Sequence, residues 1–360
     1  MTMRRTFVCC AVAALVSIVS SGGAGPRTAA DEGKSLVFAP APVSPPSPGE
    51  CNRDCLDTFV DKYFDAMLSR YPSTIAMAPE VKYTENEQIV KPGEGIWKTF
   101  SGRGTYRVYL ADPATGQAGY YGTISEDGGL LLGMVALRIK VKEHRITEVE
   151  VITVREESRP KGGLGLNTAG IMTPRLIDEL DARQFILPSP VLLGPVTSPE
   201  NREQLIGVTR GYFDAFQQSR GSLASIDPEC SRRENGMMAT NNPDGPVVDR
   251  AQPAFHLFSG SCAEEMDRGF FGALWKVRAV RPLVVDEKQG LLLNLAFLDN
   301  EGDTGSVTVP GVGPVEVPVE LRRPITFMTP QLFKIENGKI RAIEGLSWPV
   351  PFGMRSAWSD

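Results

Sequence analysis

The feature that most constrains this chain is an internal duplication. Tyr63-Phe64-Asp65-Ala66 recurs as Tyr212-Phe213-Asp214-Ala215, and the same ungapped offset of 149 maps Leu56 onto Leu205, Ser73 onto Ser222 and Pro79-Glu80 onto Pro228-Glu229. It also maps Glu85-Asn86 onto Glu234-Asn235. Across residues 56–86, 10 of 31 positions are identical, where average residue usage gives about two by chance. The unit ends correspond as well: Lys140-Val141 with Lys334-Ile335, Ile146 with Ile340, Val149 with Ile343 and Glu150 with Glu344, now at an offset of 194. The second copy is therefore longer by the difference, 45 residues, for which Asn241 to Gln252 and Gly302 to Pro318 are the natural hosts. A chain of 360 residues allows two or three domains on length alone; the repeat reduces this to two copies of one unit.

Each unit has the same pattern. Leu56, Phe59, Val60, Tyr63, Phe64 and Met67 recur at helical spacing, with Asp57 and Asp61 on the polar side. A turn at Pro72-Ser73 leads to a strand from Val81 to Asn86, and Gly93 to Phe100 reads as a short helix presenting Trp97. Strands are expected over 104–111, 117–125, 130–142 and 145–155. In the second unit Asn337-Gly338 sits between apolar alternations and suits a type I′ hairpin turn. A helix followed by an antiparallel meander is an α+β pattern. The expected organisation is a first domain over 51–155, a Gly- and Pro-rich linker or covering segment over 156–200, and a second domain with an insertion over 201–355.

The N-terminus reads as an export signal over 1–30: Arg4-Arg5 precede an apolar run from Phe7 to Val19, followed by small residues. That run is too short to favour a membrane anchor, and no membrane span is expected in the mature chain. Residues 31–50 form a Pro-rich, unstructured arm. The expected destination is secreted or periplasmic. A net charge of −5 argues against a nucleic-acid partner bound through its phosphates. Removal of the signal leaves Cys51, Cys55, Cys230 and Cys262, an even number for which three disulfide connectivities exist. Cys230 with Cys262 is the preferred bridge, leaving Cys51 with Cys55. A zinc site is disfavoured, because C-x3-C has no second cysteine pair or nearby histidine in sequence to complete four ligands. No metal and no cofactor are expected.

Each unit resembles the SnoaL-like, ketosteroid-isomerase-like superfamily, whose fold is shared by nuclear transport factor 2. The resemblance rests on the helix with Tyr63-Phe64-Asp65-Ala66, the strand Tyr83-Thr84-Glu85-Asn86, Gly95-Ile96-Trp97 and the terminal Ile146-Thr147-Glu148-Val149-Glu150. Cys51 to Phe352 as a whole is similar to exported proteins that carry this unit in tandem; Cys230 to Gly236 and Val284-Val285-Asp286-Glu287 are further matching stretches. It implies a curved antiparallel sheet wrapped around a helix as a cone-shaped α+β barrel with an apolar pocket. The superfamily includes isomerases, dehydratases, cyclases, epoxide hydrolases and plain binding proteins, so the fold does not select a reaction.

The residues suited to chemistry follow from strand alternation. Val81, Tyr83 and Glu85 share the face expected to look inward, and Lys82, Thr84 and Asn86 the other; Cys230, Arg232 and Glu234 take the inward places in the second unit. A glutamate on an apolar face would be desolvated, raised in pKa and suited to general base work. Glu85 and Glu150 are the candidate catalytic residues. Tyr83, Asn86, Trp97, Arg138, Glu234, Asn235 and Glu344 are candidate ligand-binding residues. The bland alternatives are that Glu-Asn shapes a strand end, that Glu150 is the ion-pair partner of Arg138, that Tyr63 and Tyr212 are core hydroxyls, and that Asp65 and Asp214 lie on a solvated helix face. His144 aligns with Gly338 in a hairpin turn and should be exposed, while His256 has no counterpart in the first unit. Glycine-rich nucleotide loops and G-x-S-x-G elbows are absent from the sequence. The expected activity is binding of a small, fairly apolar organic molecule, with cofactor-free isomerisation, dehydration or hydrolysis as its catalytic form. The competing class is a non-catalytic structural or protein-interaction module. Homo-oligomerisation is compatible with either.

Overall fold

The computed structural model describes residues 51–155, 190–241, 257 and 259–358. The expected export signal and arm, most of the 156–200 segment, His256 and all but Asn241 of the first insertion host lie outside these residues.

The first unit opens with helix α1 (Arg53–Ser69). Asn52 caps it by accepting a hydrogen bond from the Cys55 N–H, and Arg70, in the left-handed region at φ 67°, ends it. Leu56, Val60, Tyr63, Phe64 and Met67 form its buried stripe, as their spacing requires. Strands β1 (Met77–Glu85), β2 (Gln88–Ile89), β3 (Phe100–Asp112), β4 (Gln117–Glu126), β5 (Leu131–Lys142) and β6 (Arg145–Arg155) follow, with a 3-10 turn at Gly95–Lys98 before β3. Both β1 and β3 begin about four residues ahead of the apolar pattern, because their leading segments are only partly covered and carry little hydrophobic signal.

The second unit repeats this plan. It comprises α2 (Arg202–Gln218), β7 (Ile226–Glu234), β8 (Met237–Met238), short helices α3 (Cys262–Asp267) and α4 (Phe270–Leu274), then β9 (Lys276–Asp286) and β10 (Leu291–Asn300). A ribbon of β11 (Ser306–Val309) and β12 (Gly313–Glu316) precedes β13 (Ile325–Glu336), β14 (Lys339–Gly345) and β15 (Trp348–Val350). Helix and first two strands recur at the 149 offset and the terminal hairpin at 194, residue for residue at most boundaries. The strand orders are equivalent: β2-β1-β6-β5-β4-β3 in one sheet and β8-β7-β14-β13-β10-β9 in the other, with β15 added beside β13. The first long strand of each unit runs parallel to the last (β1 with β6, β7 with β14), while the other pairings are antiparallel.

Each sheet buries both faces. One face of the first carries Tyr83, Tyr120, Leu137 and Val151 against α1; the same face of the second carries Leu292, Phe333 and Ile343 against α2. The opposite faces pack on each other, with Val108, Tyr121, Met134 and Ile152 of the first sheet in one core with Val284, Leu293, Phe297 and Met328 of the second. Double burial explains the near-continuous burial along β4 and the near-continuous apolar run of β10, which an open antiparallel sheet would not show. The insertion from Gly302 to Pro318 forms the β11–β12 ribbon, and its Val307, Val309, Val315 and Val317 join the α2-side core. The two disulfides are Cys51–Cys55 and Cys230–Cys262, bonds that belong to an oxidising environment. No described helix is long and apolar enough to cross a membrane.

Candidate functional site

One row across each sheet shows how far the copies have diverged. Residues paired directly across strands share a face. In the first unit the row is Tyr109, Tyr120, Leu137, Val151 and Glu85. In the second it is Pro282, Asn294, Gln331, Gly345 and Glu234. At the centre of the helix-facing side, a tyrosine, a leucine and a valine have become an asparagine, a glutamine and a glycine. Asn294 is fully buried and Gln331 nearly so. Both polar atoms of Asn294 and the Gln331 Oε1 have no hydrogen-bond partner. A buried amide left unpaired costs about 1–3 kcal/mol.

Charged groups adjoin that row. Glu234 lies over Gly345, where a Cβ would come within 2.6 Å of the Glu234 Oε2; glycine is required there to admit the carboxylate. Arg232 donates from Nη2 to Glu234 Oε2 at 3.0 Å and from Nη1 to Glu265 Oε1 at 2.9 Å, leaving its Nε without a partner. The Ser347 hydroxyl donates to the other Glu234 oxygen. The Cys230–Cys262 bridge ties α3 to β7, and so holds Glu265 against Arg232. Burial pushes the Glu265 carboxyl up; Arg232 opposes this, and the Glu234 charge adds to it. Tyr212, from α2, brings a hydroxyl without a partner to the same place, its pKa raised by burial.

The first unit fills the corresponding volume with rings. Tyr63, the counterpart of Tyr212, stands edge-on to Trp97 with centroids 5.5 Å apart. The hydroxyls of Tyr63 and Tyr83 and the Trp97 indole N–H are buried together and interact with one another. Burial raises the Tyr83 pKa far above its ordinary value. Glu85 faces the same side but has both oxygens engaged: Oε2 accepts from the Ile96 N–H at 2.7 Å and Oε1 from Arg155 Nη2 at 2.6 Å. It pins the turn that carries Trp97. Asn86 and Asn235 act alike in the two units. Asn86 donates to the Thr153 carbonyl and accepts from the Thr153 N–H, while Asn235 does both with Ser347. Their amides extend the strand ladder at a turn of positive φ and are not free for a ligand.

Glu150 and Glu344 lie on the other face, between the sheets, away from the helix-side interior. Glu150 accepts from Arg138 Nε at 2.9 Å and from Arg281 Nη2 of the second sheet at 2.5 Å. Burial pushes its pKa up, but Arg281 and Arg138 outweigh it and leave the carboxyl below its ordinary value. Arg138 also reaches Glu148 and Gln117. Its guanidinium stacks 4.4 Å from the Trp358 ring centroid, against which Lys82 packs at 4.2 Å. Arg233 at 3.3 Å and the Tyr106 hydroxyl favour the ionised form of Glu344, but burial outweighs them and its pKa is raised.

Tyr83, Trp97 and Glu85 thus gather in the first unit and Glu234 in the second, while Arg138, Glu150 and Glu344 belong to the join between sheets. Sequence reasoning missed Glu265, Asn294 and Gln331. The available signal was a polar residue interrupting Leu291-Leu292-Leu293-Asn294-Leu295, at the position where the first unit has Tyr120.

Residues 198–347, from just before α2 to just past β14, match the profile of a domain of unknown function, DUF8021. No curated protein matches the chain. Similar solved structures include a protein of unknown function with a cystatin-like fold from Methylobium petroleophilum, 11% identical over 32% of this chain and 85% of its own, with a TM-score of 0.25. A candidate ketosteroid isomerase from Kribbella flavida is 15% identical over 34% of this chain and 91% of its own, with a TM-score of 0.24. AclR, a candidate hydroxylase from Streptomyces galilaeus, is 13% identical over 37% and 97%, with a TM-score of 0.26.

Proposed function

We propose that this is an exported small-molecule-binding protein whose site is the helix-side interior of the second unit, the first unit serving as its packed scaffold. The observation that carries this is the pair Asn294 and Gln331, whose unpartnered amide atoms replace Tyr120 and Leu137, beside Gly345, where the Glu234 carboxylate takes the space of Val151. An amide that can both donate and accept, with a phenol and aromatic walls from Phe333 and Tyr212, suits a compact neutral molecule bearing a carbonyl or hydroxyl group. Its apolar part would lie against the rings. In a catalytic form the chemistry is cofactor-free proton transfer. Glu265, whose pKa burial raises, is the donor side chain and Glu234 its accepting partner, with Arg232 holding the two in place.

The test is ligand-observed NMR and thermal unfolding of the full chain with aryl ketones and phenols of graded size. Binding that disappears in Asn294→Leu/Gln331→Leu, while the fold survives, is the expected result. A crystal structure in which Asn294 and Gln331 bond to each other in a closed, dry interior would refute the site.

A further inference from the structure

The N-terminus of α1 meets the β5–β6 hairpin at one end of the first unit, and three metal-type ligands converge there. Cys51 precedes the capping Asn52, and Cys55 lies in the first turn of α1. His144 occupies the exposed hairpin turn, its Nδ1 3.7 Å from Cys51 Sγ and 3.9 Å from Cys55 Sγ. The three ligand atoms all lie within 4.8 Å of one another. C-x3-C lacks a histidine in sequence, but the fold supplies one from 89 residues away.

The duplication shows that the junction itself does not need these groups. At the same places the second unit has Glu200, Gln204 and Gly338. There the Gly338 N–H donates to Glu200, and Gln204 closes a capping box with Asn201. Helix start and hairpin are joined with neither sulfur nor imidazole. The turn argues the same way: His144 sits at φ 55°, a left-handed conformation that Gly338 adopts without a Cβ penalty.

We propose that the Cys51–Cys55 disulfide is the closed form of a metal site. On reduction, Cys51, Cys55 and His144 bind one thiophilic d10 cation, Cu+ or Zn2+. The opening step needs a thiol reductant: two equivalents of thiol form their own disulfide as the Cys51–Cys55 bond is cleaved, giving two cysteine thiols. The cation then displaces the two thiol protons and takes the sulfurs as thiolates, while His144 gives its Nδ1 lone pair. Two sulfurs and one nitrogen complete a three-coordinate Cu+ site; Zn2+ would take water as its fourth ligand.

The experiment uses the full chain, reduced anaerobically with dithiothreitol and desalted. It is then titrated with Cu+ against bathocuproine disulfonate and, separately, with Zn2+ against 4-(2-pyridylazo)resorcinol. We expect one equivalent of at least one cation in the reduced protein and none in the oxidised. His144→Ala should weaken binding roughly tenfold or more, since loss even of an outer-shell partner costs that much. The variant Cys51→Glu/Cys55→Gln/His144→Gly, which imports the second unit's own junction, should fold and bind nothing at this place. Absorption spectroscopy at the metal edge should show two sulfurs and a nitrogen. Equal binding by oxidised and reduced protein, binding unchanged in His144→Ala, or an equivalent retained by the triple variant would each overturn the proposal.

Discussion

The two units share a helix, six strands and a strand order, yet their interiors have opposite character. Inside the first, Tyr63, Phe64, Tyr83, Trp97, Phe100 and Tyr120 are all essentially buried and largely ring against ring. Inside the second, the equivalent space holds Arg232, Glu234, Glu265, Asn294 and Gln331 around Tyr212. A duplicated fold carries two cores, and only one of them needs to be optimised for packing. The other can keep buried polar groups whose cost is offset by the sheet-on-sheet core the two share.

The sharpest way to break this contrast is to damage the packed copy. Trp97→Ala removes a fully buried ring that Tyr63 meets edge-on. It should destabilise the protein by about 3–5 kcal/mol, measured by denaturant unfolding with an unchanged m-value. A loss under about 1 kcal/mol would mean that the first interior does not depend on its ring packing.

The join between the sheets carries the next largest effect and has a pH signature. Glu150→Ala leaves Arg138 and Arg281 facing each other without their shared carboxylate, which should cost about 3–5 kcal/mol at neutral pH. The folded pKa of Glu150 is lowered from 4.5, so its contribution is complete above that value and is lost as pH falls through the folded pKa. Glu344 runs the other way. Its folded pKa is raised, so its ionised form destabilises the fold above that pKa, and the penalty disappears as pH falls towards 4.5. Removing these two repeat-related glutamates one at a time should therefore tilt the stability–pH curve in opposite directions. Parallel tilts in Glu150→Gln and Glu344→Gln would show that the two positions are electrostatically alike.

Much of this architecture was legible in the sequence, because the signals were local or repeated. The stripe from Leu56 to Met67, the Asn337-Gly338 turn and the 149 offset each depend on neighbours along the chain, and each corresponds to an element with matching bounds. The candidate sites were less legible for a geometric reason. Alternation separates two faces of a strand without saying what covers each. Glu150 and Glu344 are buried as an inward carboxylate would be, but beneath a second sheet instead of a helix. Asn86 and Asn235 recur because a turn needs their amides. Arg281 and Trp358 as partners of the first unit, and Ala357 as the partner of Glu87, were invisible, since these contacts cross more than 100 residues.

A smaller change sharpens the interior contrast directly. Gln331→Leu gives the second unit the residue that Leu137 supplies in the first, and removes a buried acceptor with no partner. If nothing occupies that interior in solution, stability should rise by about 1–3 kcal/mol, the cost of an unpaired buried group. If ordered water or a bound molecule completes the amide, the gain shrinks towards zero and returns only after exhaustive dialysis. Thermal unfolding before and after dialysis separates the two states.

The smallest expected effect concerns the last turn of the described chain, which favours one unit over the other. Trp358 donates from Nε1 to Thr84 Oγ1 at 3.0 Å, while Ala357 donates its N–H at 2.6 Å to the buried Glu87. Lys82 reciprocates by donating to the Ala357 carbonyl. The C-terminal segment, which follows the second unit, thus closes over the outer face of β1 in the first. Loss of the ring in Trp358→Ala removes stacking with Lys82 and Arg138, worth about 0.5–2 kcal/mol. The effect should be read locally, as faster amide exchange at Thr84 and Glu87 with exchange in β7 unchanged. Equal acceleration in β1 and β7 would show instead that the tail stabilises the sheet-on-sheet core as a whole, and that the two copies unfold as one body.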